Sequence, residues 1–336
     1  MIDQFNLAQV QNSPCYIIAE IGMNHNGDIE LAKQHIKAAA QCGVNAVKFQ
    51  TFKTEDFLSE AHFDLAERRQ YELSKDAHIK LKSYADEHKV DFLSTPFDNH
   101  SVDLLNELNV PFYKIASGDL TNHSLISYTA SKGKPILLST GYSEYSEIFK
   151  ALENIRNENL SKFALMHCVA SYPTDLSDVN LINIKTLAES FNCNVGFSDH
   201  SEDFTCLPVA AVSFGAKFIE KHFTIDRSLP GYDHHFSLNP NMMTQLVDSV
   251  RTIEKAIGHS RRDFGVIDSE QERRNTARRS LFWKQTLPSG TTILPEHLIS
   301  LRPGTGISAS LQSDVIGKMT QNEVKTKTML KFNDFA

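Results

Sequence analysis

Short apolar runs, rich in β-branched and aromatic residues, alternate with longer amphipathic stretches through most of the chain. The runs cover residues 16–22, 46–52, 91–97, 112–119, 135–141, 163–172, 194–200 and 218–224. Between them apolar residues recur at helical spacing, for example over 29–42, 77–88, 144–156, 181–191, 204–214 and 241–257. The alternation predicts successive strand–helix units. Eight such units over about 250 residues are the number that a (β/α)8 TIM barrel needs.

An open, doubly wound α/β sheet is the main alternative, because it alternates strands and helices in the same way. The first strand is not followed by a glycine-rich dinucleotide motif, and almost every run turns polar at its carboxyl end. In a barrel these ends meet on one face, where the active site lies. The polar residues expected to converge there are Glu20, Lys48, Gln50, Thr95, Lys114, Ser117, Ser139, His167, Ser198, His200, Glu220 and His222.

The chain changes character after the predicted barrel, which spans residues 1–258. Residues 259–278 are charged and weakly apolar, which indicates a linker with some helix. Residues 279–336 contain short apolar pieces separated by Pro and Gly turns, which predicts a small β-rich domain. A domain of this size is expected to need support from another surface.

Composition excludes several classes of function. The chain has 336 residues and a formal charge of −7, so it lacks the basic surface that nucleic-acid binding requires. The amino terminus has no secretory pattern and no apolar stretch reaches the length of a membrane span, which predicts a soluble, cytoplasmic protein. The five scattered cysteines lack CxxC spacing and suit a reducing compartment.

Two histidines end neighbouring predicted strands, His200 after the seventh and His222 in the eighth. Adjacent strands in a closed barrel bring such side chains together, and two imidazoles suit a divalent cation that acts as a Lewis acid. Glu220 shares the face of His222 because the two are separated by one residue in a strand. The sequence therefore predicts a metal site, against the alternative of two separate, hydrogen-bonded histidines.

Lys48 and Lys114 lie within apolar strands, where a charge is costly unless it is used. Two lysines in one mouth indicate a phosphate or carboxylate ligand. A Schiff-base lysine and a plain ion pair with Glu20 are the alternatives. Glu20 itself could orient sugar hydroxyls, move a proton or balance Lys48.

The order of short motifs along the chain resembles that of a known protein family. Eleven short motifs follow one another along nearly the whole chain. They are IIAEIGMNHNG, AVKFQTF, FLSTPFD, KIASGDL, PILLSTG, MHCVASYPT, VGFSDHS, EKHFT, GYDH, RRSLFW and RPGTGI. Together they resemble the bacterial sialic acid (N-acetylneuraminate) synthase family. This resemblance implies a TIM barrel, a carboxyl-terminal antifreeze-like (SAF) domain with a β-clip fold, and a homodimer whose small domains reach over the partner's active site.

The resemblance also implies roles for individual residues. Phosphoenolpyruvate would bind at Lys48, Thr95, Lys114, Ser117, Ser139 and Ser198. The acceptor sugar would lie among Glu20, Gln50, Asp119, Tyr172, Asp233 and Arg302, the last from the other subunit. His200 and His222 would hold Mn²⁺, with Mg²⁺ and Co²⁺ as alternatives. The residues expected to take part in the chemistry are Glu20, Glu220, Lys48 and Lys114.

The implied reaction condenses phosphoenolpyruvate with an open-chain N-acetylmannosamine-type sugar and water to give N-acetylneuraminate and phosphate. The chain departs from many relatives on the sugar side, with Tyr232 before Asp233, Ala170-Ser171 before the Tyr-Pro pair, and Asp119 in place of a glutamate. These departures leave open a diacetamido hexose as acceptor, giving legionaminic or pseudaminic acid. A metal-dependent aldolase and a non-catalytic sugar-binding protein are the alternatives from other classes.

Overall fold

The computed structural model describes residues 13–62, 65–158, 162–258 and 265–336. The chain forms two compact units, Met1–His259 and Ser260–Ala336. The predicted linker, residues 259–278, contributes a helix to the second unit. Residues 259–264 of that linker lie outside the described part.

The first unit is built on a sheet of eight parallel strands. These are β1 (Tyr16–Gly22), β2 (Ala46–Thr51), β3 (Asp91–Pro96), β4 (Tyr113–Ile115), β5 (Ile136–Ser139), β6 (Phe163–Cys168), β7 (Asn194–Asp199) and β8 (Phe218–His222). Their order is β3-β2-β1-β8-β7-β6-β5-β4, and the two end strands, β3 and β4, lie side by side. The sheet therefore curls into a near-barrel, as the (β/α)8 pattern predicts.

Two of the predicted runs continue beyond their strands. The run over residues 112–119 contains a three-residue strand, and Ser117–Asp119 form a 3-10 turn. The run over residues 163–172 becomes a loop after Cys168. In both places the chain leaves the sheet at the mouth of the barrel, which is where a parallel barrel carries its functional loops.

Helices connect successive strands. In chain order they are α1 (Ile29–Gln41), α2 (Thr54–Phe57), α3 (Leu65–Arg68), α4 (Lys75–Glu87), α5 (Asn99–Glu107), α6 (His123–Ala130), α7 (Tyr145–Asn157), α8 (Asn183–Phe191), α9 (Cys206–Ser213) and α10 (Pro240–Ile257). Local chemistry sets their starts: the side chain of Asp28 caps α1, and that of Asn239 caps α10, which has proline in its first turn. The apolar faces of the helices pack on the outward-facing strand residues.

The inside of the barrel contains an apolar layer. Its buried members are Tyr16, Ile18, Ala46, Leu93, Phe112, Leu137, Ala164, Met166 and Phe218. Strand β7 contributes only Gly196 to this layer, because there is no room for a side chain. A Cβ atom at this position would lie 2.6 Å from Cβ of Phe218 and would also collide with Met166. The interior is thus a packed core and not a pore.

The second unit has a small core of its own, centred on the fully buried Trp283. Strands β9 (Ser280–Trp283) and β10 (Leu298–Leu301) pair in antiparallel fashion, and single bridges extend the β-structure. The helices are α11 (Asp268–Ala277), which has no buried residue, and α12 (Gln312–Val315). The β-rich character agrees with the sequence pattern, while the assignment to the antifreeze-like fold stays a prediction.

The cysteines are free thiols, and all but Cys206 are buried, so they behave mainly as small core residues. Among the described helices, none combines the length and apolarity needed to cross a membrane.

Candidate functional site

A pocket lies at the carboxyl ends of the barrel strands. The residues predicted from sequence that line it are Glu20, Lys48, Gln50, Thr95, Lys114, Ser117, Ser139, Tyr172, Ser198, His200, Glu220 and His222. Strand periodicity explains the convergence, because inward-facing residues are two apart. Ile18 lies two residues before Glu20, and Phe218 lies two residues before Glu220, so each pair faces the barrel interior. The polar layer that lines the pocket therefore lies directly above the apolar layer.

His167 is an exception to the predicted convergence. Its Nε2 lies 2.6 Å from the carbonyl oxygen of Val179, to which it donates a hydrogen bond. It lies directly between the inward-facing positions Met166 and Cys168, so strand alternation turns it away from the pocket. The expectation that His167 joins the site is therefore wrong.

Two lysines and two glutamates form a buried charge cluster in the pocket. Nζ of Lys48 lies 2.7 Å from Oε2 of Glu20 and 3.7 Å from Oε1 of Glu220. Nζ of Lys114 also lies 3.7 Å from Oε1 of Glu220. All four side chains are at most 6% exposed, so solvent screens these charges weakly. The ion pair between Lys48 and Glu20, one of the alternatives raised by the sequence, is present.

The cluster shifts the pKa values of its members in different directions. Burial, aided by the charge of Glu220, outweighs the attraction of Lys48 and raises the pKa of Glu20 to about 7. Burial also opposes ionisation of Glu220, but Lys114 and Lys48 outweigh it, so the pKa of Glu220 is lowered. Near neutral pH, therefore, Glu220 is the ionised carboxylate, and Glu20 exchanges its proton readily.

The lysines differ in their surroundings. Burial would lower the pKa of Lys48, but Glu20 and Glu220 overcome this effect and raise it. For Lys114 burial dominates, and the pKa is lowered despite the attraction of Glu220. Lys114 donates a hydrogen bond of 2.6 Å to Oγ of Ser139 and has no carboxylate as close as the one that holds Lys48.

Hydroxyl groups complete the donor set around the lysines. Lys48 donates to Oγ1 of Thr95 at 3.1 Å, and Oγ of Ser198 donates to Oε1 of Glu220 at 3.1 Å. Ser117 lies on the turn after β4 and accepts from the backbone N–H of Gly141 at 2.9 Å. Ammonium and hydroxyl donors of this kind can rotate from one oxygen to another, so the same groups can bind an incoming anion.

The two predicted metal ligands face each other across the pocket. The ring centroids of His200 and His222 are 5.5 Å apart. Nδ1 of His200 lies 2.9 Å from the carbonyl oxygen of Val169, which can only accept, so Nδ1 carries the proton and Nε2 keeps its lone pair. Burial lowers the pKa of both histidines, which keeps the rings neutral as metal binding requires.

Nδ1 of His222 is buried and has no hydrogen-bond partner among the described residues. The carboxylate oxygen Oδ2 of Asp233 lies 3.7 Å away. A buried, unsatisfied ring nitrogen fits a ligand that the protein itself does not supply. The described part of the chain holds no group of three or more His, Cys, Asp or Glu side chains in a metal-binding arrangement. His200 and His222 thus fit a divalent cation only if water or substrate fills its other positions.

The predicted sugar-side residues are partly brought together. Gln50 and Tyr172 line the pocket, and the ring of Tyr172 lies 4.2 Å from that of His200. Asp233 borders it beside His222. Asp119 lies on the turn after β4, where it accepts a 3.2 Å hydrogen bond from Asn122, and it does not line the pocket. Arg302 is an exposed residue of the second unit.

The lining residues that were not singled out from the sequence include Phe97, Tyr142 and Cys168. Each lies at or just beyond the end of a strand, and that position was the signal that could have identified them. An aromatic residue or a cysteine there is more often core, so residue type alone gave no reason to choose it.

A parallel near-barrel with lysines, carboxylates and histidines at its carboxyl-terminal mouth is the architecture of a (β/α)8 barrel enzyme. The chain belongs to the NeuB family, whose model matches residues 35–262.

Relatives of known name cover most of the chain. N,N'-diacetyllegionaminic acid synthase of Legionella pneumophila is 38% identical and aligns with 94% of this chain and 93% of that protein. N-acetylneuraminate-9-phosphate synthase of Mus musculus is 34% identical over 85% of this chain and 82% of that protein. The crystal structure of N-acetylneuraminic acid (sialic acid) synthetase from Leptospira borgpetersenii serovar Hardjo-bovis, in complex with citrate, has 37% identity and a TM-score of 0.73 over 78% of this chain and 90% of that one.

Proposed function

We propose that this protein condenses phosphoenolpyruvate with an open-chain N-acetylmannosamine-type sugar and water, giving N-acetylneuraminate and inorganic phosphate. The observation that carries the proposal is the joint placement of Lys48, Lys114, His200 and His222 in one buried mouth. Lysines of this kind suit the phosphate and carboxylate of the enol substrate, and paired neutral imidazoles suit a cation. The names of the relatives support a synthase acting on sugars of this class.

In this proposal Lys114 and Lys48 bind the anionic groups of phosphoenolpyruvate, and Thr95, Ser139 and Ser198 add hydroxyl donors. We expect no imine on either lysine: the ammonium group of Lys48 is paired with Glu20, and that of Lys114 lies between Ser139 and Glu220, where it can meet an anion. Once these donors face the enol phosphate, the low dielectric of the buried site strengthens their stabilisation of its charge. They orient the enol carbon toward the sugar and bind the phosphate that leaves.

His200 and His222 would hold a divalent metal, Mn²⁺ in first place. Such an ion would supply Lewis-acid polarisation of the acceptor's aldehyde oxygen when bound. Glu20 can hold or release a proton near neutral pH beside the acceptor, and Glu220 stays ionised between the two lysines. The enol carbon forms a bond to the aldehyde carbon, water adds at the adjacent carbon, and phosphate departs from that carbon.

A second acceptor has specific support. The Legionella relative is named for a diacetamido acid and is 38% identical, so a diacetamido hexose giving legionaminic acid is a candidate for the same reaction. A pseudaminic acid synthase is also among the relatives, so a diacetamido hexose giving pseudaminic acid is a candidate as well. The acceptors share the reacting aldehyde and differ in their substituents, so the residues that bind phosphoenolpyruvate would serve both.

A phosphate-release assay tests the proposal. Purified protein receives phosphoenolpyruvate, Mn²⁺ and, one at a time, N-acetylmannosamine and diacetamido hexoses, and mass spectrometry identifies any nine-carbon keto acid. We expect release to depend on an acceptor and to disappear in His222→Ala. Turnover of an acceptor without phosphate release would point to an aldolase, and acceptor binding without turnover to a sugar-binding protein.

A further inference from the structure

Tyr142 has a backbone conformation that its side chain does not favour. It follows Gly141 directly after β5 and has a φ of 38°, in the left-handed region that residues with a Cβ atom avoid. The side chain is 73% exposed, so core packing does not compensate. A non-glycine residue kept in this conformation, and placed on the lining of a pocket, indicates a role at that pocket.

The neighbouring turn holds Tyr142 in place. The backbone N–H of Gly141 donates to Oγ of Ser117 at 2.9 Å, which joins the loop after β5 to the turn after β4. A Cβ atom on Gly141 would lie 2.8 Å from that same oxygen, so the two loops touch. A Cβ atom on Gly118 would lie 3.3 Å from the hydroxyl of Tyr142. The hydroxyl therefore rests over Gly118, close to Asp119.

A second exposed tyrosine lies at the same mouth. Tyr172 is 51% exposed and its ring lies 4.2 Å from that of His200. Both tyrosines line the pocket together with Cys168. Tyrosines combine an apolar ring face with a hydroxyl, which suits a sugar with its C–H faces and polar substituents. The lysines that suit phosphate are instead at the buried base of the pocket.

We propose that Tyr142 is a specificity-determining residue that contacts the acceptor sugar, with its ring against the carbon chain and its hydroxyl, beside Asp119, against an acylamino or hydroxyl substituent. This inference rests on the proposed function and adds to it a residue that distinguishes acceptors. The predicted sugar-side set contains Tyr172, which lines the same pocket as Tyr142, and Asp119, which follows the glycine beneath the Tyr142 hydroxyl.

The test compares Tyr142→Gly and Tyr142→Phe with wild type, using N-acetylmannosamine and a diacetamido hexose as acceptors. For Tyr142→Gly we expect KM for the acceptor to rise about tenfold or more. The ratio of kcat/KM between the two acceptors should change in both variants, with KM for phosphoenolpyruvate nearly constant. The melting temperature of Tyr142→Gly should not fall, because glycine accepts the positive φ. Tyr145→Ala is the control, since Tyr145 stacks on Phe191 away from the pocket.

Unchanged acceptor constants in Tyr142→Gly would overturn the inference. So would a parallel rise of both KM values with a lower melting temperature, because that result indicates a structural role. Should wild type release no phosphate with any acceptor, the proposed function fails on its own. Saturation-transfer NMR with N-acetylmannosamine then decides the role of Tyr142: weaker transfer in Tyr142→Gly supports it, and equal or absent transfer overturns it.

Discussion

Nζ of Lys221 lies 2.7 Å from Oδ2 of Asp199, and both side chains are buried. The same ammonium group donates to the carbonyl oxygens of Ser201 and Asp203, at 2.6 Å each. Lys221 points to the face opposite Glu220 and His222 and fastens the segment that carries His200. The position of one candidate metal ligand thus depends on the strand that carries the other.

We expect Lys221→Met to destabilise the fold by about 3–5 kcal/mol, because Asp199 would remain buried without its cation. The free energy of unfolding, measured with urea, checks this value. Lys185→Met is the matched control, because Lys185 is 62% exposed and its nearest carboxylate is 3.9 Å away. A loss below about 1 kcal/mol, the size of a surface pair, would contradict the predicted importance of the Asp199 pair.

Lys114→Met and Lys48→Met should each raise KM for phosphoenolpyruvate and lower kcat together, because each removes a cation that binds the enol phosphate in ground and transition states. Steady-state kinetics at varied phosphoenolpyruvate concentration measures both constants. Borohydride treatment during turnover should leave both lysines unmodified by mass spectrometry. A reduced substrate adduct on either lysine would show that this lysine forms an imine, and would contradict its role in anion binding.

His200→Ala and His222→Ala should each weaken Mn²⁺ binding by more than the about 10–100-fold that loss of an outer-shell partner costs. Electron paramagnetic resonance of free Mn²⁺ gives the Kd without any need for turnover. His100→Ala, which changes an exposed histidine, should bind as wild type does. Equal Mn²⁺ affinity in wild type and all the variants would show that this pair of histidines does not bind the metal.

Acid should destabilise the barrel through buried histidines outside the charge cluster. Burial lowers the pKa of His25 to about 3 and that of His35 to about 4, from an ordinary value of 6.5. The unfolded chain takes up the proton as pH falls below about 6.5, whereas the folded chain does so only near the lowered value. Stability is therefore complete above this window and is lost as pH falls through it.

His35→Gln removes one of the side chains that take up a proton when the chain unfolds. The difference in unfolding free energy between wild type and His35→Gln should shift by about 1–2 kcal/mol in favour of the variant between about pH 7.5 and about pH 5. Urea titrations at the two pH values measure it. A difference that does not change with pH would show that His35 takes up its proton as easily in the folded state as in the unfolded one.

Arg302 provides a test of the predicted exchange of small domains. If the second unit completes the active site of a partner subunit, Arg302→Ala and His222→Ala chains should both be inactive alone and active when mixed. In a mixed dimer both lesions then fall in one site, and the other site is intact. Mass labelling confirms that subunits have exchanged. Exchange without recovered activity would place Arg302 at its own barrel, and full activity of Arg302→Ala would leave it no substrate role.

The sequence predicts the barrel well because each strand must be apolar where it is buried and polar where it ends. The run over residues 16–22 coincides with β1, and the helical pattern over residues 241–257 agrees with α10 to within one residue. The run over residues 112–119 overstates β4, since Ser117 and Asp119 can bond to nearby backbone and Gly118 adds freedom to turn.

The residues of the site were predictable as a set, while their partners were not. Strand periodicity places Lys48 and Glu220 on the inner face, but only distances reveal that one carboxylate stands between two lysines. The role inferred for Tyr142 depends on a backbone angle that no hydrophobic pattern encodes. Contacts across the barrel join residues far apart in sequence, which local patterns do not report.

The apolar layer beneath the pocket has a consequence for directed evolution. Phe218 and Met166 already fill the space above Gly196, so a library that varies the interior would mostly yield chains that cannot close the barrel. In the loops after β5 and β6, the side chains of Tyr142 and Tyr172 are more than half exposed and have no such constraint from below. Variation at these two positions, with Gly141 kept, should let new acceptors be sampled without loss of the barrel framework.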